Sequence, residues 1–340
     1  MSECRAFSSI PVIDISGLYS DNLKTRQRVA DKIAVAAQDV GFFYIREHQI
    51  SQQLIDNLIE QAQGFFAQPL SEKMRWHIAQ SENHSGYVPE GEEQFEEGKI
   101  DHKEAYDINY DLTDLSFQRP MLGPTQWPDN ADFKFHIKNY YQAARELSNR
   151  LFSAFALALG LEENTFVANL KHPPNQLRLI HYPYDPSAQD KEGIGAHTDY
   201  ECFTLLLPTT DGLEVMNDQG EWIDAPFIPG TIVVNIGDML EILSHGRFLA
   251  TSHRVRKVKQ ERYSFPMFCS LDYDTLVAPL LPPAEGVQPG QYQALKCGDH
   301  LYAQTIQTFN YLKKQWRSGT LTMPDAARST ASFGQLAKTL

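Results

Sequence analysis

The most restrictive feature of this sequence is a run of short β-rich segments that begins near residue 175. Turn signals such as Asp211-Gly212 and Pro229-Gly230 separate the segments, and no helical pattern interrupts them. Seven or so strands at this spacing predict a double-sheet jelly roll, also called a double-stranded β-helix. The segments are QLRLIHYPY, CFTLLLP, GLEVM, EWIDAP, GTIVVNIGD, ATSHRVRKV and ERYSFPMFCSL.

The rest of the chain shows both helical and strand patterns. IPVIDI and GFFYI are short apolar segments that are typical of strands. Ser51 is a candidate N-cap and Gly160 a candidate helix stop, while residues 80–130 are acidic and rich in turn formers, which predicts a loop region. Apolar residues at helical spacing predict helices over residues 24–40, 51–66, 132–159 and 300–316.

Together these patterns predict an α+β protein with a mainly β core, in which helices from the N-terminal half back a jelly roll. We expect an N-terminal α+β region (residues 1–130), a long supporting helix and connection (131–174), the jelly-roll core (175–290), and a C-terminal helix and tail (291–340).

Composition indicates the class of partner and the cellular compartment of this 340-residue chain. It has 43 acidic and 30 basic residues, and a net charge of −13 argues against nucleic-acid binding. The four cysteines form no CxxC pair, which suits a reducing compartment. We find no signal-peptide pattern and no apolar run of about 18 residues, the length of a membrane span. We therefore expect a cytoplasmic protein that binds a small molecule, and the sequence does not predict its oligomeric state.

A metal site is the chemistry that the sequence supports best, because GxSxG, GxxxxGK[ST], HExxH and a strand-linked GxGxxG are all missing from it. His197-Thr198-Asp199 places an imidazole and a carboxylate two residues apart, and on a strand such residues point to one face. Gly193 and Gly195 precede the pair and allow the backbone close approach. The rival triplet, residues 102–104 (HKE), lies in a charged region where we expect a solvated, salt-bridging role.

Residues further along the chain complete a candidate site. His253 lies 54 residues after Asp199, in another strand candidate, and Arg262-Tyr263-Ser264 follows nine residues later. Two His and one Asp form the facial triad of non-haem Fe(II) oxygenases, which leaves metal positions open. Arg262 in an apolar barrel needs a counter-charge, and a ligand carboxylate fits its planar fork.

In this order, the motifs resemble those of the Fe(II)/2-oxoglutarate-dependent dioxygenases, in particular the isopenicillin N synthase-like (iron/ascorbate oxidoreductase) family. The resemblance extends over most of the chain, through PVIDIS, GFFYIREHQI, SGYVPEGEE, DHKEAYDI, LRLIHYP, GAHTDYECFTLLL, VNIGDMLEILSHGRF, SHRV and ERYSFPMF. It implies that the catalytic residues and iron ligands are His197, Asp199 and His253. It implies further that Arg262 and Ser264 bind the distal carboxylate of 2-oxoglutarate and that Tyr182 supports them.

The resemblance also implies an activity. We expect an oxidoreductase that uses Fe(II), O₂ and 2-oxoglutarate as cosubstrate, with ascorbate as a candidate reductant, to hydroxylate a small molecule and release succinate and CO₂. Two positions depart from the common family pattern, since Ile180 and His245 stand where many members have Asn. The identity of the substrate stays open, as does the choice between hydroxylation, desaturation and cyclisation.

Several alternatives remain at this point. R-x-S also occurs in relatives that use no 2-oxoglutarate, so Arg262 of an isopenicillin N synthase-type oxidase would hold a substrate carboxylate instead. A non-catalytic metal-binding protein and a zinc hydrolase are the other two classes. The acidic stretch Glu90–Glu104, with nearby Tyr87 and Tyr106, either covers the pocket mouth or forms a solvated loop. Three further polar residues are expected to be structural: Asp238 as a turn former, and His181 and His245 in unassigned roles.

Overall fold

The computed structural model of the protein describes residues 6–94, 100–184, 193–256 and 260–324. Two sheets and a two-stranded ladder account for its strands. The strands are β1 (Val12–Asp14), β2 (Phe42–Arg46), β3 (Gly86–Val88), β4 (Glu104–Asn109), β5 (Gln176–Tyr182), β6 (Ile194–His197), β7 (Phe203–Pro208), β8 (Leu213–Met216), β9 (Trp222–Ala225), β10 (Ile232–Ile236), β11 (His253–Val255), β12 (Arg262–Cys269), β13 (Leu276–Val277) and β14 (Leu295–Lys296).

The larger sheet has eight strands in the order β1-β2-β10-β7-β12-β5-β4-β3. Its central strands β5, β7 and β10 are buried at every residue, because helices cover one face and the second sheet covers the other. The N-terminal strands β1 and β2 extend this sheet at one edge, and β3 and β4 extend it at the other. The predicted region boundaries remain a proposal, while the strands of the first and second halves share one sheet.

The smaller sheet has the order β6-β11-β8-β9 and packs against the larger one. Apolar side chains from both sheets meet between them, for example Tyr182 and Val255 in one cluster and Leu206 and Val215 in another. This arrangement confirms the predicted jelly roll with an α+β composition.

The helices are α1 (Leu23–Asp39), α2 (Gln52–Phe66), α3 (Leu70–Lys73), α4 (Ala131–Ala158), α5 (Asp238–Leu243), α6 (Cys297–Thr308) and α7 (Asn310–Arg317). The long α4 packs against α1 and α2 and lies on the outer face of the larger sheet. Phe203 of β7 lies between Phe152 and Phe155 of α4, with ring centroids 4.8 and 5.0 Å away. The predicted Ser51 N-cap is present, and Gly160 ends α4 in a left-handed conformation with φ of +72°.

Residues 80–130 are rich in loops, and they also contain β3 and β4, which complete an edge of the larger sheet. Two expectations about local structure were wrong. A helix, α5, interrupts the β-rich half, and Asp238 is its first residue rather than part of a turn. The C-terminal helix is split at Phe309, whose extended backbone separates α6 from α7.

Among the described residues, no helix has the length and apolar character that crossing a membrane requires.

Candidate active site

Two histidines of the smaller sheet face each other in its first strand pair. His253 of β11 is the register partner of His197 at the end of β6. Their ring centroids are 4.3 Å apart, and both side chains are largely buried. Gly193, at the start of this segment, has no room for a side chain, because a Cβ atom there would lie 2.9 Å from Val255 Cγ1 and 3.1 Å from the ring of Tyr182.

Asp199 joins the two histidines from a loop rather than from the strand. β6 ends at His197, so the expected strand placement of Asp199 was wrong, although its carboxylate still reaches both imidazoles. Asp199 Oδ1 lies 3.6 Å from His197 Nε2 and 3.7 Å from His253 Nε2. One ligand atom from each residue lies within 4.8 Å of the others, which is the spacing of a three-ligand metal site.

The second carboxylate oxygen of Asp199 is held by two polar side chains. Thr204 of β7 and Asn235 of β10 are register partners, and each donates a hydrogen bond to Asp199 Oδ2, at 2.7 Å from Asn235. Such outer hydrogen bonds fix the orientation of a ligating carboxylate and leave the other oxygen for the metal. Burial raises the pKa of Asp199, but the two histidines and the hydrogen bonds from Thr204 and Asn235 together hold it below its usual value.

The histidine tautomers also suit metal ligation. His197 Nδ1 is 2.8 Å from the carbonyl oxygen of Gly195, and His253 Nδ1 is 3.2 Å from that of Thr251. A carbonyl only accepts, so each Nδ1 carries a proton, and in the neutral ring each Nε2, which lies near Asp199, has the lone pair that a metal binds. Burial lowers the pKa of both histidines, which favours the neutral form that binds a metal.

Arg262 and Ser264 lie on the same face of β12, opposite Tyr182 and Ile180 of β5. Arg262 has no exposed surface, and its Nε lies 3.4 Å from the carbonyl oxygen of Thr210. Its terminal nitrogens Nη1 and Nη2 make no hydrogen bond of normal geometry within the described residues, and the side chain of Tyr182 is their polar neighbour. The guanidinium lies 4.7 Å from the centroid of the Tyr182 ring, and burial lowers the pKa of Arg262. A buried fork of unpaired donors fits the carboxylate of an anionic ligand.

A single cavity connects the three candidate metal ligands with Arg262, Ser264 and Tyr182. Its other end is lined by residues that sequence reasoning did not select. They include His84, Met121, Gln176, Glu201, Phe268 and Thr305. Burial and the neighbouring Asp199 raise the pKa of Glu201 to about 8.

An ionic cluster forms part of the cavity wall. Arg178 donates to both Asp107 oxygens at 2.7 and 2.8 Å and to Glu93 at 2.8 Å, while Lys103 Nζ donates to Glu93 at 2.6 Å. Burial alone raises the pKa of Glu93, but Arg178 and Lys103 hold it below its usual value. The expectation of a solvated role for residues 102–104 was therefore wrong for Lys103, which is 6% exposed.

The neighbours of that cluster have structural contacts. Glu104 accepts hydrogen bonds from Lys73, Tyr87 and His181, and it lies on β4 rather than in a solvated loop. Tyr87 and Tyr106 are buried, so neither covers a pocket mouth at the surface. Part of the acidic stretch, residues 95–99, lies outside the described residues.

The unassigned polar residues also lie away from the triad. His181 bonds to Glu104 and Glu261 and stacks on Tyr263. His245 Nδ1 lies 2.7 Å from the carbonyl oxygen of Leu281 and has a φ of +56°. Neither histidine lines the cavity, and structural roles for both fit these contacts.

Comparison with known families gives two matches in chain order. Residues 10–130 match the N-terminal model described as non-haem dioxygenase in morphine synthesis, and residues 174–271 match the 2OG-Fe(II) oxygenase superfamily. The chain is 33% identical over 325 residues to homoarginine-6-hydroxylase 2-ODD-233 of Oryza sativa subsp. japonica, covering 89% of this chain and 98% of the relative. It is 32% identical over 329 residues to the 2-oxoglutarate-Fe(II) type oxidoreductase ppzC of Metarhizium rileyi, covering 86% and 85%.

Solved structures show the same architecture. A full-length Neurospora crassa protein, crystallised in complex with alpha-KG and thymine, aligns with a TM-score of 0.74 and 26% identity, covering 92% of this chain and 97% of that one. A 2OG-Fe(II) oxygenase family protein from Caulobacter crescentus aligns with a TM-score of 0.76 and 26% identity, covering 92% and 99%. The chain therefore belongs to the 2OG-Fe(II) oxygenase superfamily and is an oxidoreductase that depends on Fe(II) and 2-oxoglutarate.

Proposed function

We propose that this oxygenase hydroxylates a polar small molecule, with His197, Asp199 and His253 as its iron ligands. In this proposal Arg262 and Ser264 bind the distal carboxylate of 2-oxoglutarate. The observation that carries the assignment is the pair of unpaired Arg262 nitrogens, which are fully buried on a wall of the cavity that also holds the triad. A dicarboxylate that reaches from the metal to Arg262 accounts for both features.

The iron, when bound, supplies the activation of O₂ and the oxidative decarboxylation of 2-oxoglutarate that the protein couples to oxidation of a C–H bond. The overall reaction converts 2-oxoglutarate, O₂ and R–H into succinate, CO₂ and R–OH, so one oxygen atom enters succinate and the other enters the product.

The side chains of this protein contribute orientation. Thr204 and Asn235 fix Asp199, and the Gly195 and Thr251 carbonyls fix the two imidazoles, so the three ligands are held before the metal arrives. Arg262 holds the far end of the cosubstrate, which restricts its rotation about the metal.

Apolar residues separate this region from water. Leu206, Leu213 and Val255 line the cavity beside Arg262, and Tyr182 covers one face of the guanidinium. A low-dielectric wall of this kind strengthens the ion pair between Arg262 and a carboxylate.

The ligands named for similar proteins support a small, polar substrate. Curated relatives are named homoarginine-6-hydroxylases, and a solved neighbour was crystallised with thymine. Both named ligands are small and polar, and the far end of the cavity in this protein is lined by polar residues such as Gln176, Glu201 and Thr305.

The direct test is substrate-free conversion of 2-oxoglutarate to succinate in the presence of ferrous iron and O₂. We expect slow turnover by the wild type and none by His197→Ala or Asp199→Ala, while the matched control His136→Ala, on α4, keeps the wild-type rate. Normal succinate formation by either triad variant would refute the ligand assignment. O₂ consumption at equal rates with and without 2-oxoglutarate would favour the oxidase alternative.

A further inference from the structure

The charged groups at the end of the cavity away from Arg262 are almost all paired with each other. Lys103 and Arg178 are matched by the carboxylates of Glu93 and Asp107, through hydrogen bonds between 2.6 and 3.0 Å. These four groups carry equal numbers of positive and negative charges, and Asp101, whose Oδ2 lies 3.7 Å from Lys103 Nζ, adds one more acid. The ionic cluster therefore leaves neither of its two cations available for a further acid or for an anionic ligand.

The charges at the end that holds the metal and cosubstrate are balanced once both are bound. The two charges of a ferrous ion and that of Arg262 are positive. The single charge of Asp199 and the two of 2-oxoglutarate offset them, while a histidine that binds a metal through Nε2 and keeps its proton on Nδ1 is neutral. Neither end of the loaded cavity has a cation left without an anionic partner among these groups.

Among the described residues that line the loaded cavity, Glu201 is the charged-type side chain that has no partner of opposite charge. It lies in the connection between β6 and β7, two residues after Asp199, and is partly buried. No side chain of the described residues donates a hydrogen bond to the Glu201 carboxyl group or forms an ion pair with it. Its polar neighbours are the backbone amides of Tyr200 and of Glu201 itself. Arg178, the nearby cation, is already bound to Asp107 and Glu93.

A partly buried carboxyl group without a cation is disfavoured in its charged form, and a positively charged ligand beside it would stabilise that form. The residues at the same end, Gln176, Thr305 and Phe268, add neutral polar and aromatic surface but no second acid to share such a ligand. We propose that Glu201 is a specificity-determining residue that pairs with a protonated amine or guanidinium group of the substrate. This inference rests on the proposed function, because it takes the oxidised molecule to bind in this cavity beside the metal.

The test compares pairs of probes that differ in one charge. The pairs are L-homoarginine and its ureido analogue L-homocitrulline, agmatine and its ureido analogue N-carbamoylputrescine, and L-lysine and L-norleucine. Binding is measured by isothermal titration calorimetry on protein loaded with ferrous iron and 2-oxoglutarate under anaerobic conditions, so that no turnover occurs. In at least one pair we expect the wild type to bind the cation at least about tenfold more tightly than its neutral partner. A difference of this size is typical of a charge-assisted hydrogen bond.

Two Glu201 variants and one control separate specificity from folding. Glu201→Gln should reduce the preference for the cation to less than about threefold, whereas Glu201→Asp, which keeps the charge, should retain most of it. Glu60→Gln, an exposed acid on α2, should retain all of it. Because each variant is scored by its own ratio within a pair, a general loss of affinity does not imitate the result, and thermal melts check the fold.

The outcomes distinguish this inference from the proposed function. Wild-type protein that forms succinate from 2-oxoglutarate but binds no cation in preference to its neutral partner would overturn the role of Glu201 alone. A preference that survives in Glu201→Gln would overturn it as well. Failure of the wild type to turn over 2-oxoglutarate would instead count against the proposed function.

Discussion

His253 lies directly opposite His197 across the β11–β6 strand pair, so the register of two short strands brings together two imidazoles that are distant in the sequence. A one-residue slip of β11 would turn His253 to the other face of the sheet. The metal site therefore depends on the pairing of the smaller sheet. Gly193, which has no room for a Cβ atom against Val255 and Tyr182, helps to keep that pairing close.

Loss of the Asn235 hydrogen bond should weaken metal binding without removing a ligand. Asn235→Leu keeps the number and branching of the side-chain heavy atoms but leaves Asp199 Oδ2 with Thr204 as its remaining side-chain donor. We expect the affinity for ferrous iron to fall by about 10- to 100-fold, the usual effect of a lost outer hydrogen bond. Anaerobic titration measures it, with Asn57→Leu on α2 as the control. Equal affinities in Asn235→Leu and the control would show that this hydrogen bond does not orient Asp199.

Arg262→Gln should act on the cosubstrate rather than on the metal. Replacing the fully buried guanidinium removes both unpaired donors, and the Kd of 2-oxoglutarate should rise by at least about tenfold. Ferrous iron should bind as in the wild type. Arg26→Gln, which breaks an ion pair with Glu163 away from the cavity, serves as the control. An unchanged Kd of 2-oxoglutarate in Arg262→Gln would point to an oxidase in which Arg262 holds the substrate.

His84 should make the protein sensitive to acid. Burial, assisted by Arg178, lowers the pKa of His84 to about 3 in the folded protein, whereas an unfolded histidine has a pKa of about 6.5. Between these values the unfolded chain binds more protons, so the free energy of unfolding falls as the pH falls, by up to about 1.4 kcal/mol per pH unit.

Denaturant unfolding at several pH values tests this expectation. His84→Gln loses the hydrogen bond to Tyr311 and should be less stable near neutral pH, but its stability should fall less steeply between about pH 6 and about pH 4. His136→Gln on α4 provides the control. A slope in His84→Gln that equals the wild-type slope would mean that other groups cause the acid sensitivity.

The jelly roll and the triad could be predicted because each leaves a local pattern. Turn residues between short β-rich segments indicated the two sheets, and the H-x-D spacing of His197 and Asp199, followed by His253 and Arg262 in later strand candidates, indicated the site. The split at Phe309 could not be predicted, because its neighbours fit a continuous helix and tertiary packing decides the break.

Other features of the site depend on contacts between distant segments. Glu93, Lys103, Asp107 and Arg178 look like surface charges in the sequence, and only the pairing of β4 with β5 shows that they bury one another. Thr204 did leave a signal, since strand alternation places it on the opposite face from Phe203, which packs against α4.

The central claim is that His197, Asp199 and His253 hold one ferrous ion within reach of a cosubstrate bound by Arg262. Anomalous diffraction at the iron edge, from crystals grown anaerobically with iron and 2-oxoglutarate, tests it most directly. We predict a single iron peak bounded by both Nε2 atoms and by Asp199 Oδ1, with a 2-oxoglutarate carboxylate on the Arg262 guanidinium. An iron peak coordinated by other side chains, or 2-oxoglutarate bound away from Arg262, would contradict it.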